Sequence, residues 1–146
     1  MKREDAIIKN LSLDDAQYVY SLEQGSFKIP WSRNSVENFL KSENKEGYGI
    51  IHEGSMVGYA LISKLLDEIT IERIAIDEKF RGYGLSTLLM NKIIEENKEF
   101  NFTLEVSEKN KSALCLYKSC GFKAEGQRKD YYAQGENAII MWRKII

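Results

Sequence analysis

Three groups of residues have types and spacings that could do chemistry. The first is Arg81-Gly82-Tyr83-Gly84-Leu85-Ser86, between a β-rich run and a leucine-rich helical pattern. Glycines there let backbone N–H groups turn toward a ligand, and a helix N-terminus adds partial positive charge, which together can hold phosphate. It is not a Walker loop, because no Gly-Lys-Ser/Thr follows, and a dinucleotide fingerprint would need glycine where Thr87 stands. A plain glycine-rich turn accounts for these six residues equally well.

The second is Glu105, on Phe102-Thr103-Leu104-Glu105-Val106-Ser107. Period-2 alternation sends Phe102, Leu104 and Val106 to one face and Thr103, Glu105 and Ser107 to the other. A strand flanked in sequence by two helices should be central, so its polar face suggests a cleft, where a carboxylate can serve as a base. A solvated glutamate on a sheet face is the competing account. The third is Asn110 with Tyr117. Seven residues make two helical turns less about 20°, so amide and phenol share a face roughly 10 Å apart. A phenol of ordinary pKa ~10 can protonate a leaving thiolate. Taken singly, Asn110 is a good N-cap and Tyr117 a packing residue.

Other candidates lack parts. His52 is the only histidine, so Ser/His/Asp, Cys/His and multi-histidine metal sites are excluded, and it reads as a surface residue. Cys115 and Cys120 lie roughly 140° apart on one helix, too divergent for a bridge, and read as free thiols of a reducing compartment. Trp31, Tyr131 and Tyr132 fall in predicted loops, where they either line a groove or pack on their own loops.

The elements that must position these residues follow from periodicity and punctuation. A strand at Ala6 to Asn10 precedes a helix capped by Ser12, with Asp15 at the capping-box position, running to about Gln24. Phe27 to Pro30 breaks it. Ser32 caps a second helix with Val36, Phe39 and Leu40 on one stripe, and Gly47 is expected to end it. Tyr48 to His52 and Met56 to Lys64 are strands joined by Glu53-Gly54-Ser55, and Glu68 to Ile76 is a longer one. After the glycine loop comes a helix at Leu85 to Asn97, a strand at Phe102 to Val106, and a helix from the Asn110 cap to Cys120, stopped by Gly121. Strands near Phe122 to Lys129 and Ala138 to Lys144 close the chain. This is a mixed α/β sheet of about seven strands with an antiparallel first half and about four helices, neither doubly wound nor a barrel.

With 146 residues, 43% of them hydrophobic and 29% charged, the chain suits one ordered domain, residues 1–146. A net charge of −1 provides no basic field for nucleic acid or anionic lipid. No apolar run approaches the ~20 residues needed to cross a bilayer, and no signal-peptide-like stretch follows Met1. A cytoplasmic location is expected.

Taken jointly, Arg81-x-x-Gly84-x-Ser86, Leu104-Glu105-Val106 and Asn110-x-x-Ala113-x-x-Leu116-Tyr117-x-x-x-Gly121-Phe122 resemble the GNAT superfamily of acyl-CoA-dependent N-acyltransferases. The motifs span Ile74 to Phe122, and the element order fits over the whole chain. Pro30-Trp31-Ser32, Ile74-Ala75-Ile76-Asp77, Arg128-Lys129-Asp130-Tyr131-Tyr132 and Asn137-Ala138-Ile139-Ile140-Met141 are similar to the ribosomal-protein-alanine N-acetyltransferase (RimI) group within it.

The resemblance implies acetyl-CoA as donor, the N-terminal alanine amine of a small-subunit ribosomal protein as acceptor, no metal, and a monomer. It makes Glu105 the proton acceptor and Tyr117 the proton donor. Acetyl-CoA contacts would come from Ile74, Ala75, Ile76, Arg81, Gly82, Tyr83, Gly84, Leu85, Ser86, Thr87 and Asn110, and Trp31, Tyr131 and Tyr132 would flank the acceptor. Ser86 stands where the family often has glycine, and Glu78 where it often has proline. An α-amine, with an ordinary pKa of about 7.7 to 8.0 against about 10.4 for lysine, needs only modest help from a base. The residues alone leave open another amine as acceptor, a non-catalytic acyl-CoA-binding module, or a phosphate-binding interaction protein.

Overall fold

The computed structural model describes residues 1–145. Strand β1 (Ile7–Asn10) is followed by helices α1 (Ala16–Ser26) and α2 (Arg33–Lys41), then β2 (Lys45–His52), β3 (Ser55–Leu65) and β4 (Glu68–Ile76). Helix α3 (Leu85–Glu96), β5 (Asn101–Ser107), α4 (Lys111–Ser119), β6 (Lys123–Ala133) and β7 (Glu136–Arg143) complete the chain. The sheet order is β1-β2-β3-β4-β5-β7-β6. Its one parallel pair is β4 with β5, so the expected mixed sheet with an antiparallel first half and four helices is what forms.

Alternation along β3 explains its almost unbroken apolar sequence. Tyr59 and Leu61 pack with α1 and α2, whereas Ala60 and Ile62 pack with α3 and α4, so the strand is buried on both faces. In β4 the alternation is interrupted. Ile71 pairs with Ile62 and Arg73 with Leu61, leaving Glu72 as an extra bulged residue. The bulge re-phases the strand: Ile69 and Ile71 face the α3/α4 core before it, and Ile74 and Ile76 do so after it. Arg73 and Ala75 are thereby turned toward α1 and α2.

The bulge coincides with the parting of two strands. β4 and β5 pair only at Glu68–Asn101, Ile69–Phe102 and Thr70–Thr103. Beyond that point each strand keeps only its other neighbour, β3 for β4 and β7 for β5, and a wedge opens at their carboxyl ends. Helix α4 leaves from the end of β5 to cover it.

Several boundaries differ from the sequence reading. Helix α2 stops at Lys41, where the Ser42 hydroxyl donates to the Asn38 carbonyl at 2.7 Å, and Gly47 lies inside β2. A Cβ at Gly47 would sit 3.1 Å from both Leu11 and Leu40, so glycine there permits close packing and terminates nothing. The β2–β3 connection is the two residues Glu53 and Gly54, both at positive φ, and His52 pairs directly with Ser55. His52 is half-buried beside Phe80, with ring centroids 5.5 Å apart, rather than a surface residue. Tyr131 and Tyr132 belong to β6 rather than to a loop, because the hairpin extends to Ala133–Glu136 across an irregular stretch.

Gly58, in β3 opposite Ile76, is the tightest backbone contact beside the wedge. An added Cβ would meet Ile76 Cδ1 at 2.6 Å and the Ala75 carbonyl oxygen at 3.0 Å. Gly58→Ala is expected to lower the unfolding free energy by about 1–3 kcal/mol. The measurement is a reduced urea midpoint with unchanged slope. A wild-type midpoint would mean that β3 and β4 are free to move apart.

Candidate functional site

The wedge is closed at one end by the glycine loop. Asp77 accepts the Lys79 N–H at 3.0 Å and starts a single turn at Glu78–Phe80. Arg81 then folds back so that its Nε donates to the Ile76 carbonyl at 3.0 Å. Gly82 and Gly84 hold φ values of 88° and 75°, left-handed conformations that glycine adopts without strain. Gly84 begins α3 with no side-chain cap, so the first-turn N–H groups remain available to an anion.

β4 supplies a second row of donors. Asp77 N–H donates to Val57 O at 2.8 Å. Antiparallel alternation therefore turns the N–H groups of Ile76 and Ile74 away from β3, into the wedge. Together these elements enclose a cavity of about 520 Å³ lined by Ile74, Ala75, Ile76, Arg81, Gly82, Gly84, Leu85, Ser86, Asn110 and Tyr117, with Ser26, Phe27, Ser112, Ala113 and Leu116. Tyr83 lies at a separate hollow with Phe80 and His52, and Thr87 does not reach the wall.

On the α1/α2 face of the sheet a second cavity, of about 440 Å³, is lined by Glu105, Tyr132, Arg73, Glu72, Glu136 and the backbone stretch Phe27 to Ile29. The two cavities share Phe27, Ile74, Asn110, Ala113 and Tyr117. Asn110 caps α4, its Oδ1 accepting the Ala113 N–H at 3.2 Å, so the capping role and the cleft position coexist. Tyr117, two turns along the same face, is buried against Phe122. Burial pushes its phenol up to about 12, with Tyr132 and Cys120 adding to the effect. The hydroxyl therefore stays protonated over the whole neutral range.

Glu105 is partly exposed and forms an ion pair with Arg128, Nε to Oε1 2.9 Å. Tyr132 reaches the cavity, and burial, followed by the nearby Glu105 charge, raises its phenol. Tyr131 is exposed and stacks edge-on against Tyr132 at 5.1 Å, outside the cavity wall. The Trp31 ring points elsewhere, packing on Phe39 at 5.4 Å over a separate hollow, while Phe27, Lys28 and Ile29 form the wall in its place.

What sequence reasoning missed lies beneath this wall. Glu23 of α1 is fully buried and accepts from Trp31 N–H at 2.8 Å, from Arg73 at 3.1 and 3.2 Å, and from the Tyr59 hydroxyl. Arg73 also donates to the Ile29 carbonyl at 3.1 Å and lies over the Phe27 ring at 3.9 Å. Helical spacing alone put Glu23 on no polar face, and the one available signal was a glutamate among the apolar positions Ala16, Val19 and Leu22 of an otherwise core-facing stripe.

A sheet parted between one parallel pair, an uncapped helix N-terminus after a glycine loop, and two joined cavities define an acyl-transfer scaffold. The chain belongs to the Acetyltransferase (GNAT) family, whose profile matches residues 16–122. A Bacillus subtilis (strain 168) relative is 36% identical over 145 residues, 96% of each chain. The ribosomal protein bS18-alanine N-acetyltransferase of Haemophilus influenzae is 34% identical over 93% of this chain and 97% of its own. The crystal structure of the ribosomal-protein-S18-alanine N-acetyltransferase from Escherichia coli matches with a TM-score of 0.90 at 30% identity, covering 96% of this chain and 94% of that one. Among the described residues, no group of three or more His, Cys, Asp or Glu is placed to hold a metal, and no helix is long and apolar enough to cross a membrane.

The Glu23 cluster yields a stability prediction. Glu23→Ala strands Arg73 beside Phe27 and Trp31 without its counter-charge and is expected to destabilise the fold by about 3 kcal/mol or more. Thermal unfolding would read this as a lowered Tm. An unchanged Tm would mean that water replaces the carboxylate at no cost.

Proposed function

We propose that the chain, as a single catalytic domain, transfers the acetyl group of acetyl-CoA to the N-terminal alanine α-amine of a small-subunit ribosomal protein in the cytoplasm. The observation that carries this reading is the junction of the two cavities at Ile74, Asn110, Ala113 and Tyr117, with Glu105 on one side and the uncapped α3 N-terminus on the other. Relatives named as bS18-alanine N-acetyltransferases, similar over nearly the full chain, support the acceptor.

The Gly82 to Ser86 backbone would hold the pyrophosphate, and the free edge of β4 the pantetheine arm. The thioester supplies the electrophilic carbonyl. The neutral amine attacks it from the second cavity while Glu105, directly or through water, takes the amine proton. The Ile74 and Ile76 N–H groups, turned away from β3, would donate to the carbonyl oxygen as it gains charge, and Tyr117 would protonate the departing thiolate. Every group in this scheme comes from one chain, which suits a monomer, and neither a metal nor nucleic acid enters it.

Three measurements follow. Tyr117→Phe keeps the ring packed and removes the hydroxyl, so kcat should fall by roughly 10²- to 10⁴-fold with acetyl-CoA binding little changed, and Glu105→Gln should behave alike. Wild-type turnover in both would end the assignment of base and acid. Because burial holds Tyr117 protonated, kcat should show no alkaline loss through about pH 10, the ordinary phenol value. A peptide beginning with alanine should be acetylated on its α-amine far better than a blocked peptide with an internal lysine. Mass spectrometry finding the acetyl group mainly on lysine would refute the acceptor while leaving the donor chemistry standing.

A further inference from the structure

Glu105 and Arg128 lie on strands that do not touch, since β7 runs between β5 and β6. Glu105 pairs with Ile140, and Ile140 pairs on its other side with Gly126, so the three share one face of the sheet. Arg128, two residues beyond Gly126, shares that face as well. With glycine at 126, the row beside Glu105 carries no side chain on β6, and the Arg128 arm crosses β7 to set its Nε 2.9 Å from Glu105 Oε1. The pair is a poor stability device, because 57% of the Arg128 side chain and 28% of that of Glu105 are exposed, and such pairs contribute about 0–1 kcal/mol. Glu105 lines the second cavity and Arg128 holds it from outside the wall, which gives the pair another use.

We propose that Arg128 is a positioning residue for the acetyl transfer: it holds one oxygen of Glu105 so that the other meets the acceptor amine, and its fixed charge disfavours the ammonium form of that amine. This rests on the reading of Glu105 as the base. The remaining ionisable groups around the cavity are Lys28 from the α1–α2 connection, Glu72 and Arg73 from β4, Tyr117 from α4, Tyr132 from β6 and Glu136 from β7. Arg73 is committed to Glu23 and Glu136 to the Ser107 hydroxyl, so Arg128 is the guanidinium that reaches the carboxylate. A guanidinium keeps its charge at every working pH, and a like charge beside an ammonium drives it toward the neutral, nucleophilic form.

The test is the pH profile of kcat at saturating alanine-starting peptide and acetyl-CoA, which reports ionisations in the bound complex, with Arg128→Gln, Arg128→Lys and, as a control on the same strand, Lys123→Gln. Arg128→Gln should lower kcat for the peptide roughly tenfold or more, leave the KM for acetyl-CoA unchanged, and move the acid limb of kcat to higher pH by roughly half a unit or more. Arg128→Lys, which keeps the charge without the planar fork, should return the limb to its wild-type position with part of the rate. A profile for Arg128→Gln that superposes on wild type overturns the proposal, as does a rate loss with no movement of the limb. Should Arg128→Gln fail to fold, Arg128→Lys decides: reduced kcat with the limb in place supports the proposal, and wild-type kcat overturns it. Glu105→Gln separates the two readings. If it is active, the base assignment fails; if it is inactive while Arg128→Gln is normal, the base stands and only the positioning role falls.

Discussion

Two parallel strands that begin together and part after three residues impose the constraint from which the rest of this molecule follows. Parting strands in mid-sheet leaves backbone donors and acceptors without partners in a place where burial would penalise them. The chain tolerates this because each strand is held firmly on its other side, β4 by a long antiparallel ladder to β3 and β5 by one to β7. Arg81 satisfies one of the exposed carbonyls, that of Ile76. The remaining groups keep their hydrogen-bonding capacity for a substrate. The site is therefore a gap in an otherwise complete hydrogen-bond network, and its shape is inherited from strand geometry more than from any loop.

The bulge at Glu72 ties this gap to the second layer of the structure. Without the extra residue, position 73 would lie on the α3/α4 face with Ile69 and Ile71, and an arginine there would be buried in hydrocarbon. With it, Arg73 meets Glu23, and one carboxylate gathers the sheet, α1 and the Phe27 to Trp31 segment into a single cluster. A buried ion pair is no reliable source of net stability, since desolvation offsets most of the attraction. Its effect here is on conformation. The Phe27 to Trp31 segment has no ladder of its own, and fixing its Trp31 N–H and Ile29 carbonyl sets the position of the wall that faces Glu105.

Much of this architecture was legible because it depends on local rules. Element order, the Ser32 and Asn110 caps, the Gly121 stop, the alternation along β5 and the shared face of Asn110 and Tyr117 are each written in a few neighbouring residues. What escaped was relational. The Glu72 bulge has no sequence marker, because Ile69 to Ile76 reads as a continuous strand and only pairing with β3 reveals the extra residue. Gly47 looks like a helix stop and is a packing glycine, a distinction made by Leu11 and Leu40 from other elements. Tyr131 and Tyr132 look like loop residues because the hairpin that continues through them is irregular. The Arg128–Glu105 pair spans two strands and depends on a glycine 21 residues away from the glutamate, which no local pattern encodes.

The dryness that raises Tyr117 also bears on whether a phenol can act as the acid. Taken alone, a phenol pushed up to about 12 is a poor donor to a thiolate of ordinary pKa about 8.5. Yet the thiolate would form in the same junction between the two cavities, and desolvation disfavours that anion for the same reason it disfavours the phenolate. Both affinities for the proton rise together, so the gap between them stays near the ordinary difference of about 1.5 units, or roughly 2 kcal/mol, a modest uphill step. Burial thus leaves the transfer close to balanced while ensuring that the proton is present at the start of every turnover. A histidine or carboxylic acid of ordinary pKa in this position would have partly or wholly lost its proton near neutral pH, and a buried tyrosine is the side chain that keeps it.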